Sequence, residues 1–231
     1  NLILKKFIRV NLTLLKYSLM EIKYKNLRVL GPAVLKVKIP DEIIEKLNEY
    51  IDNTVKNKSK VEKLNYGEKL VGDVTQEFLL EIEFVKSSGW LDFLANCSKI
   101  YTELNEGKKI TKFNLLKTWV VRQFKNEYNP THWHGGHISG AGFLKVPKIL
   151  GESVQKKKEI NYRGGNLQLI HGSRMFTCPS TYNIVPEVGD FYLFPNYLMH
   201  TVFPFKGTDE ERRSISFNAT IDDEIYNVYG R

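Results

Sequence analysis

Histidine is missing from the first 131 residues of this 231-residue chain, and the five present all fall beyond that point. Cysteine is scarce too. Cys97 and Cys178 form no CxxC pair, which excludes a zinc-finger or disulfide framework and makes a reducing, cytoplasmic setting the expectation. No apolar run approaches the roughly 18–20 residues that a membrane span requires, so no membrane role is expected. Residues 1–19 mix cations with Leu and Ile and lack a small-residue cleavage site, which is unlike a secretory signal. Met20 is a candidate start, leaving residues 1–19 as a basic segment foreign to the native protein.

Acids are nearly absent from residues 1–40, where nine Lys and Arg face Glu21 alone. The rest of the chain balances 25 basic against 25 acidic residues, so the formal charge of +8 belongs to the N-terminal segment. The histidine-bearing half therefore has no polyanion-binding excess, and nucleic acid is not expected as a partner.

Aromatic residues are plentiful: 13 Phe, 12 Tyr and 3 Trp. Residues 22–39 alternate imperfectly, as edge strands do around Gly31 and Pro32. "IPDEIIEKLNEYID" has the entry and the three-and-four apolar spacing of a helix. Residues 54–75 are polar and read as a loop. A second helical pattern, "TQEFLLEIEFVKSSGWLDFLANCSKIYTEL", breaks near Ser87 to Gly89. After Lys112 the pattern becomes strand-like, in short pieces punctuated by Gly and Pro. The expectation is a mainly β fold with flanking helices, a jelly roll or double-stranded β-helix of the cupin-like kind. One domain over residues 20–231 follows, with edge strands and supporting helices over 20–110 and the jelly-roll core over 111–231.

Three histidines crowd into "THWHGGHISG". On a strand His132 and His134 share a face, with Trp133 opposite, and two imidazoles on one face suit a metal. His137 lies beyond two glycines, where the strand direction is lost. His200, in "FPNYLMHTVFPF", joins the pair only through the fold. Such imidazole ligands suit non-haem iron, manganese, copper or catalytic zinc. In "ERRSISFN", Arg212, Ser214, Ser216 and Asn218 share one face and Arg213, Ile215 and Phe217 the other. An arginine and a hydroxyl two residues apart offer a fork and a donor to a carboxylate. Trp119, Phe143, Tyr192 and Phe194 are candidate cavity walls or plain core. His171, before a turn, reads as structural, and Asp190 as a turn residue within reach of a ligand histidine.

Together "EYNPTHWHGGHISG", "GDFYLFPNYLMHTVFPF" and "ERRSISFN" resemble the 2-oxoglutarate/Fe(II)-dependent oxygenases common in marine phages and bacteria, over about residues 115–220. The resemblance implies Fe(II) and 2-oxoglutarate as cofactors, with His132 and His200 as outer metal ligands. Arg212, helped by Ser214, would grip the distal carboxylate of 2-oxoglutarate. The wider superfamily has a carboxylate where His134 stands, so either the site is a three-histidine triad, or His137 or a water completes it. The implied reaction couples decarboxylation of 2-oxoglutarate to succinate with dioxygen-dependent hydroxylation of a small molecule or protein side chain. The alternative is a non-catalytic cupin-like protein that binds a metal or small molecule.

Overall fold

The computed structural model describes residues 31–151 and 162–227. The expectations for residues 1–30, including Met20 as a start, lie outside the described residues.

Among the described residues ten strands form two antiparallel sheets. The larger contains β1 (Leu35–Lys38), β2 (Gln76–Leu79), β3 (Phe113–Gln123), β5 (Ile138–Lys145), β8 (Asp190–Pro195) and β10 (Arg212–Ile221). Its order is β1-β8-β5-β10-β3-β2. The smaller holds β4 (Asn129–His132), β6 (Leu167–Ile170), β7 (Thr181–Ile184) and β9 (Met199–Val202), ordered β4-β9-β6-β7.

Period-two alternation gives the larger sheet two apolar faces, and each has its own cover. Phe143, Tyr192 and Phe194 meet Leu167, Leu169 and Ile184 of the smaller sheet. On the opposite face Val120, Leu144, Phe191, Ile215 and Phe217 pack under helices α1 (Asp41–Lys56), α3 (Ile82–Ser87) and α4 (Trp90–Glu106). α1 supplies Ile44, Leu47 and Ile51 at helical spacing, and Asp41 and Glu42 in its first turn complement its dipole. Trp90 is fully buried on the helical side and donates its indole N–H to Thr118 Oγ1 at 3.1 Å. A buried indole needs such a partner.

Two readings of the N-terminal half are corrected. Within the expected loop, Lys58–Leu64 form α2, capped by the Asn57 side chain accepting from the Lys60 N–H at 3.2 Å. Val61 and Leu64 are its apolar residues, too few to show a periodic stripe. "QEFL", read as the start of a helix, is instead strand β2, paired along β3 from Gln76↔Arg122 to Leu79↔Trp119. The open edge of β3 decides the matter, because pairing there satisfies both backbones. The Ser87–Gly89 break does separate α3 from α4.

Candidate active site between the two sheets

His132 is the last residue of β4 and lies opposite His200 of β9. His134 lies beyond the strand, so strand alternation alone does not place it as expected. A clip to the β8–β9 turn does: its N–H donates to Asn196 O at 2.9 Å, and Asn196 Nδ2 donates to its carbonyl at 3.1 Å. Trp133 points outward and is 65% exposed. The three imidazoles converge, with one ring nitrogen from each within 4.8 Å of the others.

The surroundings fix the tautomers. His132 Nδ1 meets Pro130 O at 2.6 Å, and His200 Nδ1 meets Leu198 O at 2.8 Å. A carbonyl can only accept, so each Nδ1 carries the proton and each Nε2 turns a lone pair inward. His134 Nε2 lies 3.0 Å from His200 Nε2. Without a cation one proton must sit between these nitrogens; a metal ion would replace it. Two imidazoles bound at about 2.1 Å and at right angles to one ion have nitrogens about 3 Å apart, as found here. Burial, with the neighbouring rings, pushes the His134 pKa down to about 2 and that of His200 to about 4; burial also lowers that of His132. The rings are neutral, as ligands must be.

Arg212 enters the same cavity, which Trp119, Val121, Phe143, Ser214 and Ser216 also line. Its side chain is buried; Nε donates to Gly165 O at 2.8 Å and the guanidinium lies 5.0 Å from the Phe143 ring centre. Gly165 has φ +72°, which turns its carbonyl to that role in a conformation few other residues tolerate. No carboxylate pairs with Arg212 among the described residues, and burial pushes its pKa down to about 9. Ser214 Oγ lies 3.5 Å from its Nη1.

Arg213 faces the other way, as alternation predicts. Glu211 holds it at 2.7 and 3.0 Å, and Asp52 of α1 at 2.6 Å. Arg122 grips the same Glu211 at 2.7 and 3.0 Å. Burial raises the Glu211 pKa, but the two guanidinium groups outweigh it and bring it down to about 2.

The remaining candidates lie elsewhere. His137 is turned from the cluster: its Nδ1 accepts from the Ile221 N–H at 3.1 Å and its ring stacks on Tyr226. His171 is an exposed residue whose N–H donates to Ser180 O. Asp190 is buried, but Lys36 and Lys38 of β1 take its carboxylate at 2.7 and 2.6 Å, so it holds a sheet edge rather than a histidine. Trp119 and Phe143 wall the cavity, whereas Tyr192 and Phe194 belong to the core between the sheets.

A second cavity of about 220 Å³ opens from the cluster, sharing Trp119, Asn129, His132 and His134. Glu77, Lys117 and Asn218 also line it. Of these, Glu77 was hidden inside a stretch read as helix, and Asn129 sits in the "NP" of the histidine motif without an evident role.

A double-stranded β-helix that gathers three imidazoles and a buried arginine between its sheets offers a site for a metal ion beside one for a carboxylate. Residues 117–218 match the family described as "Putative 2OG-Fe(II) oxygenase", a span holding the cluster, Arg212 and Ser214. Over that span the chain is similar to the 2-oxoglutarate- and Fe(II)-dependent oxygenases, dioxygenases whose cofactors are Fe(II) and 2-oxoglutarate. It is similar in fold to a prolyl hydroxylase from Trichoplax adhaerens solved with a hypoxia inducible factor peptide. The identity is 14%, over 87% of this chain and 88% of that one, with a TM-score of 0.52. A viral collagen prolyl hydroxylase from Paramecium bursaria Chlorella virus-1, solved with 2-oxoglutarate, is 16% identical over 80% of this chain and 94% of that one, with a TM-score of 0.48. HygX from Streptomyces hygroscopicus, solved with nickel, 2-oxoglutarate and hygromycin B, is 13% identical over 80% and 82%, with a TM-score of 0.49. No curated protein matches the chain.

Proposed function

We propose that the chain is a hydroxylase in which His132, His134 and His200 hold the iron and Arg212, with Ser214, receives the distal carboxylate of 2-oxoglutarate. The carrying observation is Arg212 itself, a buried cation with no acid beside it, in a cavity shared with three neutral imidazoles. An unpaired buried charge is costly, and an incoming carboxylate offsets that cost. Three neutral ligands leave the charge of a divalent ion intact, and no acid among the described residues lines this cavity. The pocket is therefore strongly positive once metal is present, which suits a dianionic cosubstrate.

Iron with 2-oxoglutarate supplies the oxidising chemistry when bound, and this chain's residues supply placement. Pro130 and Leu198 orient the outer two rings through their carbonyls, and Asn196 fixes the segment bearing the third. Trp119, Val121 and Phe143 exclude water from the floor. The adjoining cavity, reached past His132 and His134, is where the substrate C–H bond would lie.

Anaerobic addition of Fe(II) and 2-oxoglutarate to the metal-free protein tests this reading. The expected outcome is one equivalent of iron and the weak visible charge-transfer band of chelated cosubstrate. Iron uptake without the band, and without thermal stabilisation by 2-oxoglutarate, would instead leave a metal-binding module.

A further inference from the structure

Among the described residues Glu77 is the single acid lining the substrate-side cavity. β2 places it there by alternation, since its neighbour Phe78 packs into the helix-covered core. The residue is 2% exposed. Asn129 Nδ2 donates to its Oε1 at 3.3 Å, while Oε2 has no partner among the described residues. The segment before β2 closes over the pair so tightly that a Cβ on Gly72 would lie 2.9 Å from Oε1 and 2.5 Å from the Asn129 amide. Of the two lysines in the same wall, Lys117 gives its ammonium to the Tyr66 hydroxyl at 2.8 Å and Lys69 is exposed at the rim. Among the described residues no cation is therefore committed to this carboxylate.

A buried carboxyl with one long amide contact is a poor structural element, because it bears the cost of desolvation without the charge-assisted bonds that would offset it. It makes sense as half of a pair whose other half arrives with a ligand. We infer that Glu77 anchors a basic nitrogen of the primary substrate, so that the enzyme acts on compact molecules or side chains carrying an amine or guanidine. Asn129 is the positioning residue: its amide holds Oε1, and it lies between Glu77 and the cavity that contains the histidines. At about 220 Å³ the cavity is smaller than pockets for drug-sized ligands. The burial that surrounds Glu77 pushes its pKa up to about 7, and an arriving cation would restore the ionised form.

This inference rests on the oxygenase reading for the cavity's role, so its test separates the two. Protein loaded with Fe(II) and 2-oxoglutarate without oxygen is titrated with n-pentylamine, agmatine and the neutral isostere n-pentanol, and binding is followed by ligand-observed NMR with diamagnetic Zn(II) in parallel. Wild type should bind both amines at least tenfold more tightly than pentanol, in keeping with the strength of charged hydrogen bonds. Glu77→Gln, which keeps the shape, should abolish that preference while retaining the charge-transfer band. Equal binding of amine and alcohol by wild type, or an undiminished amine preference in Glu77→Gln, would overturn the proposal. Loss of the band in wild type would instead sink the oxygenase reading, with the amine preference still decided by the Zn(II) arm.

Discussion

Two adjacent arginines on β10 do opposite work. Arg212 is buried without an acid, and Arg213 is buried within a network of Glu211, Asp52 and Asn48. Alternation separates them, and their partners define what each loss would cost. Arg212→Ala should weaken 2-oxoglutarate binding at least tenfold, because it removes a charged donor from a desolvated site. It should cost little stability, since no buried acid is left stranded. Arg213→Ala should leave 2-oxoglutarate affinity within a few-fold but lower unfolding free energy on the order of 3 kcal/mol, because Glu211 loses half of its compensation. Calorimetric titration with 2-oxoglutarate and urea unfolding on both variants measure the two effects. The reverse pattern would mean that the two side chains have exchanged faces.

At the scale of elements, β5 shows why the helices can approach the sheet so closely. Ala141 and Phe143 face the cavity, while Gly140 and Gly142 face the helix-covered side beside Phe191 and Phe217. A Cβ on Gly142 would lie 2.3 Å from Phe191 Cδ2 and 2.8 Å from Asp190 O. That carbonyl belongs to the neighbouring strand β8, so it cannot yield without disturbing the ladder. Gly142→Ala should therefore cost about 1–3 kcal/mol through overpacking, seen as a melting temperature several degrees lower. Gly135→Ala, where nothing lies within 4 Å, should stay within about 0.5 kcal/mol. Equal melting temperatures for the two variants would show that β5 and β8 have room to part. The strands around the site were legible because the pieces after Lys112 are short, strand-sized and punctuated by Gly and Pro, and because "SISFN" alternates; α1 was legible because its apolar stripe is regular. α2 and β2 were not: the first is too short and charged to show a period, and the second takes its form from the β3 edge. His134 is a similar case, since its place depends on Asn196, which lies 62 residues away in sequence.

Across the whole molecule the buried titratable groups pull stability in opposite directions as pH changes. The Glu211 pKa is held at about 2 against an ordinary 4.5, so its contribution is present above about pH 4.5 and is lost as pH falls toward 2. The neutral imidazoles of His134 and His200, depressed from 6.5 to about 2 and about 4, likewise lose their contribution as pH drops below 6.5. Glu77 has the opposite sign. Raised from 4.5 to about 7, it keeps in the folded protein a proton that the unfolded chain releases, so it destabilises progressively as pH rises from 4.5 to about 7. Because the histidines and Glu77 act over overlapping ranges, the wild-type curve alone cannot separate them, but a difference between variants can. The metal-free chain and its Glu77→Gln variant, unfolded in urea with chelator from pH 4.5 to 8, should diverge steadily in midpoint, with the variant gaining on the wild type until about pH 7 and keeping a constant lead above it. A lead that is the same at pH 4.5 and pH 8 would mean that Glu77 titrates as an ordinary carboxyl, open to water in the folded protein.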